Sequence, residues 1–367
     1  MNQREWHNLI SCQSGGIGAA LLRFFLAVAA VVYSTAVGLR NFLYSKGWLT
    51  VHRTNAIVIS VGNITAGGTG KTPLVIWLFN LLRQKNILCA ILTRGYKAHA
   101  KERGTRDEGR EMKIDEPAIF AERYPEAQVI VNPDRVAGAK EAVSKFSANV
   151  LIMDDGFQHR RLARDLDIVT IDATQPFGYS KVLPAGLLRE PIAALKRADA
   201  VVNTRCDQVT EAKLAQLEEK LRFINSDMII DRSIHTPICA KSIESKEISL
   251  EQLNDKKIFA FCGIGNPDSF LDTIKGLGCE LVGSKIYNDH HHYTQNDIAD
   301  IHKQAKPLKA DLILTTQKDW FSTQYAIRNT QYEIPFAYLS IELKFLAGEN
   351  KLTALIENKI TDKIYAK

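Results

Sequence analysis

Ile57-Val58-Ile59-Ser60-Val61-Gly62-Asn63-Ile64-Thr65-Ala66-Gly67-Gly68-Thr69-Gly70-Lys71-Thr72-Pro73 is the stretch on which the reading of this chain turns. Its first five residues are a β-branched run short enough for a buried strand. Consecutive small residues follow, so that backbone N–H groups converge on an anion. Residues 73–82 then read as a helix whose positive end points at the same place. Proline just inside a helix start is well placed, because a first-turn N–H has no intrahelical partner. Strand, loop and helix together predict a phosphate-binding loop made by Thr65, Ala66, Gly67, Gly68, Thr69, Gly70, Lys71 and Thr72. That loop implies a bound nucleoside triphosphate, with Lys71 reaching the β- and γ-phosphates and the Thr72 hydroxyl taking magnesium. The strict pattern has glycine where this chain has Thr65; the strand–loop–helix context carries the assignment.

Outward from the loop the pattern alternates between strands and helices. Short apolar runs at 89–93, 128–131, 150–153, 168–171 and 200–203 predict further buried strands, with helical stretches between most of them. This predicts an α/β, P-loop NTPase-like fold: a mostly parallel sheet flanked by helices. Val150-Leu151-Ile152-Met153-Asp154-Asp155 delivers two acids to the carboxyl edge of such a sheet, where open α/β sheets bind ligands. Asp154 and Asp155 are therefore expected at the metal shell beside Thr72. Gln158 lies four residues on, within reach of the same place, and Asn203-Thr204-Arg205 ends a strand where P-loop proteins often read the base. The charged, aperiodic stretch 97–110 reads as a mobile surface loop. After a less regular stretch around Pro237, strands at 257–262, 279–282, 312–315 and 335–340 predict a smaller C-terminal α/β lobe, with a loop at 263–267 and a helix after it capped by Asp268 or Ser269. The expected division is 1–45 as an N-terminal helix, 46–235 as the P-loop core and 236–367 as the smaller lobe.

Among 367 residues, 46% are hydrophobic and 24% charged, which excludes a disordered chain and a multi-span membrane protein. The formal charge of +6 suits an acidic ligand or an anionic membrane surface as well as ordinary solubility. No basic stripe interleaved with aromatics is present, so nucleic acid is not an expected partner. The six cysteines lie far apart without a C-x-x-C pair, which argues for reduced thiols in a cytosolic setting. The uncharged run between Arg23 and Arg40 reaches the length of a membrane span when counted back to Ile17, with Arg23 close enough to the end to snorkel. A membrane anchor or in-plane helix, a signal peptide and a buried helix of the domain compete for it. A signal peptide would export a loop that needs cytosolic ATP. Arg40, Lys46 and Arg53 follow the run, as in a segment whose C-terminal side stays cytoplasmic. The anchor is the expectation.

Several blocks together resemble the tetraacyldisaccharide 4'-kinase (lipid A 4'-kinase) family. The loop from Gly62 to Pro73 is similar to that family's variant Walker loop, Thr65 included. Thr93-Arg94-Gly95-Tyr96, Asp115-Glu116-Pro117, Asp134-Arg135, Asp154-Asp155-Gly156-Phe157-Gln158-His159, Leu183 to Pro191, Asp289-His290 and Thr316-Gln317-Lys318-Asp319 follow in the family's order across nearly the whole chain. At Gln317 the family usually has an acid. The resemblance implies an ATP- and magnesium-dependent enzyme at the cytoplasmic face of the inner membrane, attached by its N-terminal helix. Its lipid substrate would be a tetraacyl glucosamine disaccharide 1-phosphate, phosphorylated at the 4'-hydroxyl to give lipid IVA, with no protein partner implied. The family's catalytic Asp–His pair falls on Asp115 and His290, joining Lys71; either Asp115 or the imidazole it holds would take the acceptor's proton. Arg135 and Arg189 are expected to meet the substrate 1-phosphate or ATP, or to form structural ion pairs. Of His290-His291-His292 only the first matches the motif, and three adjacent side chains do not converge easily on one metal. The rival readings are a P-loop switch protein or metallochaperone, which needs neither the Asp115 and His290 blocks nor an apolar helix, and a membrane-bound nucleotide sensor, which predicts binding without turnover.

Overall fold

The computed structural model describes residues 3–95, 115–244, 246–289, 291–328 and 332–365. Two helices, α1 (Gln3–Ile10) and α2 (Ile17–Ser45), precede β1 (Ile57–Gly62), every residue of which is buried. Next come α3 (Lys71–Gln84), β2 (Cys89–Thr93), α4 (Asp115–Arg123), β3 (Gln128–Val131), α5 (Arg135–Phe146), β4 (Val150–Asp154), β5 (Leu166–Asp172), β6 (Ala200–Thr204), α6 (Glu211–Ile224) and β7 (Ile229–Ser242). The rest comprises β8 (Glu247–Ser249), β9 (Lys257–Cys262), α7 (Pro267–Lys275), β10 (Glu280–Ile286), α8 (Gln295–Ala305), β11 (Leu312–Thr316), α9 (Gln317–Arg328), β12 (Phe336–Ala347) and α10 (Glu349–Tyr365). The stretch 97–110, expected as a mobile loop, lies outside the described residues.

The chain divides into two units. The first takes Met1–Arg94, Ala127–His235 and Leu343–Lys367; the second takes Gly95–Glu126 and Thr236–Glu342. The first unit's strands are all parallel, in the order β7–β6–β5–β1–β4–β2–β3. β1, β4, β5 and β6 are buried along their whole length, which is why they read as unbroken apolar runs. The chain runs β1, β2, β3, β4 on one side of the sheet and then crosses to β5 on the other side of β1. Loops after β1 and β4 therefore lie side by side at the carboxyl edge, with Val61 in register with Asp154. The second unit orders β10–β9–β11–β12, again parallel, with β8 antiparallel to the end of β7.

Two features depart from the linear reading. Gly95–Glu126 belongs to the second unit, where Glu122 accepts the Tyr338 hydroxyl at 2.9 Å and Arg123 pairs with Glu342. α10 belongs to the first unit, where Lys363 donates to Ala56 O (2.9 Å) and Asp165 (2.7 Å). β7, fourteen residues long, occupies the stretch around Pro237 that looked irregular; its polar alternation and proline hide a strand whose early part nevertheless pairs with β6. The cap of α7 is Asn266, accepting from Ser269 N at 3.2 Å, two residues before the earlier of the two expected caps.

Asp231 on β7 is fully buried, and neither carboxylate oxygen has a hydrogen-bond partner among the described residues. A Cβ on Gly348 (φ +95°) would sit 1.8 Å from its Oδ1, so only glycine fits there. Burial pushes the Asp231 carboxyl up to about 7 from 3.8; Lys351 opposes the shift and Glu349 adds to it. A carboxyl raised on folding contributes stability fully below the unfolded value and loses it as pH rises through the folded one. Lowering pH from about 8 to about 6 should therefore raise the thermal midpoint of the native chain more than that of Asp231→Asn, whose amide does not titrate. Asp231→Asn should also be the more stable of the two at the higher pH. Parallel pH profiles for the two proteins in thermal unfolding would refute this.

Candidate active site

The β1–α3 loop is built as its composition demands. Gly67 (φ +114°) and Gly70 (φ +85°) take left-sided backbone angles, and Gly70 immediately precedes Lys71, the first residue of α3. A Cβ on Gly70 would lie 2.6 Å from the His235 Nε2 atom. Thr65 forms an antiparallel bridge with Leu188, Ala66 N donates to Leu187 O at 2.7 Å, and Arg189 N donates to Ile64 O at 2.7 Å. Thr65 therefore ties the phosphate-binding loop to the 183–191 segment. Thr72 follows Lys71 in the first turn of α3, and the loop's N–H groups with the helix start form an anion site.

Asp155 is where the charges meet. Its Oδ1 lies 3.5 Å from Lys71 Nζ, and Arg189 NH1 donates to both its oxygens at 2.8 and 2.9 Å. Burial would raise its carboxyl, but Lys71 and Arg189 hold it well below the usual carboxylate range. It takes the left-handed conformation (φ +51°) just beyond β4. Asp154, the last residue of β4, is 7% exposed. Arg135, buried at the start of α5, donates to Asp154 O at 2.9 Å; burial pulls its guanidinium down to about 10 although Asp154 and Asp155 favour its charge. Gln158 Nε2 donates to Asn63 O at 2.8 Å, so its contact is with the root of the loop. His159, beside it, has a buried Nε2 without a partner among the described residues, and burial with the Arg135 and Arg164 charges pulls its pKa to about 4. Lys71, Asp155 and Arg189 form one cluster, with Asp154, Arg135 and Gln158 on its β4 side.

Sequence reasoning missed the supports of this cluster. Thr204 and Arg205, at the strand end expected to read a base, bond the loop's carbonyls. His235, on a strand the sequence did not reveal, lies against Gly70, with its imidazole held neutral by burial and the Arg205 charge (pKa about 3). The position of Arg205 two residues beyond a buried-strand motif was the available signal.

The same 183–191 segment also receives α2. Tyr33 donates to Arg189 O at 2.8 Å, Asn41 Nδ2 donates to Glu190 at 2.8 Å, and Arg160 donates to Asn41 O at 2.7 Å. Only Ala30 and Val37 of α2 are buried, while Phe24, Phe25, Val28, Val31, Val32 and Leu39 stand exposed. α2 is the one helix among the described residues long and apolar enough to cross a membrane.

In the second unit Asp115 is the first residue of α4, but its side chain lies outside the described residues, as does all of His290. The residues on either side of position 290 are held: Asp289 pairs with Lys318 at 2.9 Å, and His291 lies 3.3 Å from Asp297 and stacks on Tyr287. Asp319 is buried beneath them. It accepts the hydroxyls of Tyr293 (3.1 Å) and Thr316 (2.6 Å), and its own N–H bonds back to Thr316 (3.1 Å), capping α9. Burial pushes the Asp319 carboxyl up.

A parallel sheet with an anion loop after its central strand, and acids at the end of the neighbouring one, defines a P-loop NTPase-like α/β protein. Residues 22–361 match the family described as tetraacyldisaccharide-1-P 4'-kinase. A tetraacyldisaccharide 4'-kinase of Halothermothrix orenii is 35% identical, covering 95% of this chain and 96% of that protein. One from Syntrophus aciditrophicus is 37% identical, covering 87% and 88%. Among solved structures, LpxK from Aquifex aeolicus in complex with ATP superposes with a TM-score of 0.68 at 30% identity, covering 92% of this chain and 99% of that one. The chain belongs to the tetraacyldisaccharide-1-P 4'-kinase family, phosphotransferases of lipid A biosynthesis.

Proposed function

We propose that this chain moves the γ-phosphate of ATP to the 4'-hydroxyl of a tetraacyl disaccharide 1-phosphate, forming lipid IVA at the cytoplasmic face of the inner membrane. The observation that carries the reading is the Lys71–Asp155–Arg189 cluster at the mouth of the anion loop, on the segment to which the apolar α2 docks. Lys71 neutralises the β- and γ-phosphates as charge shifts towards the leaving group. Asp155 keeps Lys71 and Arg189 charged and oriented. Arg189 and Arg135 are the further cations for phosphate oxygens, and Gln158 fixes the loop's base. The Thr72 hydroxyl in the first turn of α3 and the Asp154 carboxylate at the end of β4 are hard oxygen donors, the kind magnesium takes together with phosphates. Asp155 belongs to that shell only if it gives up a cation. Magnesium, when bound, supplies further neutralisation of the transferred phosphoryl group. Asp115 and His290 take the acceptor's proton as a pair. The exposed apolar face of α2 lies in the membrane with the acceptor's acyl chains.

The test is incubation of the full chain with labelled ATP, magnesium and the tetraacyl disaccharide 1-phosphate in detergent micelles, followed by chromatography of the lipid. A labelled bisphosphorylated lipid is expected, with turnover sharply lowered in His290→Ala. Folded, ATP-bound protein that yields none would overturn the reading.

A further inference from the structure

Three consecutive carbonyls of the anion loop are each held by a side chain, two of them from the end of β6 and one from the root of the loop. Asn63 Nδ2 donates to Gly67 O at 3.4 Å, Arg205 NH2 to Gly68 O at 3.0 Å, and the Thr204 hydroxyl to Thr69 O at 3.0 Å. In a trans peptide the C=O of one residue and the N–H of the next point in opposite directions. Holding the carbonyls of residues 67, 68 and 69 against the protein therefore turns the N–H groups of Gly68, Thr69 and Gly70 the other way, as a concave anion nest requires. Arg205 is the strongest of the three holds, because its donor is charged. It is itself buried (6% exposed), its backbone is in the left-handed conformation (φ +56°), and its NH1 is paired with Asp172 at the end of β5. Thr69 is pinned from its side chain too, its hydroxyl lying 2.7 Å from that of Thr170, which donates to Gly62 O.

We propose that Arg205, anchored by Asp172 and assisted by Thr204 and Asn63, is a positioning residue that sets the phosphate-binding loop in its anion-accepting shape before nucleotide arrives. The inference rests on the reading of the loop as an ATP site. With both terminal nitrogens of its guanidinium engaged, by Gly68 O and by Asp172, Arg205 acts through the loop. A preorganised nest binds without the cost of ordering its backbone, so loosening it appears in nucleotide affinity.

The test is titration of ATP with magnesium into the full chain, native and variant, beside thermal unfolding and steady-state kinetics. Arg205→Ala should weaken ATP binding by about tenfold to a hundredfold, the range for losing a charge-assisted hydrogen bond. KM for ATP should rise more than kcat falls, and KM for the lipid should stay put. Arg205→Lys, which keeps the charge but replaces the two-nitrogen fork by one ammonium, should recover part of the affinity. Thr204→Val, close in shape and lacking only the hydroxyl, should weaken binding less, and it carries the test should Arg205→Ala fail to fold. Native-like ATP affinity in folded Arg205→Ala or, failing that protein, in Thr204→Val overturns the proposal. So does a fall in thermal midpoint with affinity unchanged. Native protein that binds ATP but phosphorylates no lipid would instead overturn the kinase reading and leave the role of Arg205 standing.

Discussion

Lys71→Ala is expected to lower lipid phosphorylation by about a hundredfold to a thousandfold, the usual cost of removing a preorganised charge aimed at the transition state. The ammonium sits at the first residue of α3, where helix dipole, nest and side chain all favour the same anion. Its partner is Asp155, 3.5 Å away, which is kept ionised by Lys71 and Arg189 together. Removing Lys71 leaves the Asp155 carboxylate with Arg189, so its carboxyl should move back towards its ordinary range. Lys71→Arg should not restore activity, because a planar fork does not replace a compact ammonium in a narrow loop. Steady-state kinetics on protein shown to be folded by circular dichroism checks this. A rate near that of the native chain would remove Lys71 from the site.

Glu190→Ala should be the most destabilising single change near the N-terminal helix. The Glu190 side chain is fully buried, with Arg197 at 3.1 Å, Asn41 at 2.8 Å and Arg40 at 3.7 Å. Arg197 is also seated 4.4 Å over the Phe157 ring. Deleting the carboxylate leaves a largely buried guanidinium without its counter-charge, a change that costs on the order of 3 kcal/mol. The same change removes one of the polar ties that seat α2 on the segment carrying Arg189. A lower thermal midpoint, faster proteolysis after α2 around residues 46–56 and a higher KM for the lipid are therefore expected together. Glu190→Gln, which keeps the shape and the Asn41 contact, should lose less. Unchanged proteolysis and thermal midpoint in Glu190→Ala would show that α2 is seated by other contacts.

Much of this was legible along the chain, and the reason is locality. A buried parallel strand is a short β-branched run, so β1, β4, β5 and β6 read directly. β7 did not, since its early half carries Asp231, Arg232 and His235 inside the sheet and its later half contains Pro237. The linear division failed to separate α4 and α10 from their sequence neighbours, because the ion pairs and hydrogen bonds that place them bridge hundreds of residues. Arg123 meets Glu342 across 219 positions and Lys363 meets Ala56 across 307. Asp154 and Asp155 read as twins, but one turn of backbone separates their surroundings: Asp154 ends the strand, while Asp155 turns left-handed towards two cations.

The phosphate-binding loop shows the division most plainly. Gly67 to Thr72 by themselves determined that the chain presents an anion site at a helix start, because small residues and the backbone's own N–H groups suffice for that. Thr65 and the blocks that follow it determined the family. Apart from Asn63, what holds the loop open was decided by tertiary structure. The donors to Gly68 O and Thr69 O come from 137 and 135 residues away, and the tie from Thr65 runs to Leu188 on the segment that seats α2. A nest can be read from residue types because its geometry is local. The side chains that fix it are chosen by which strands become neighbours, and only folding brings β5 and β6 beneath the loop.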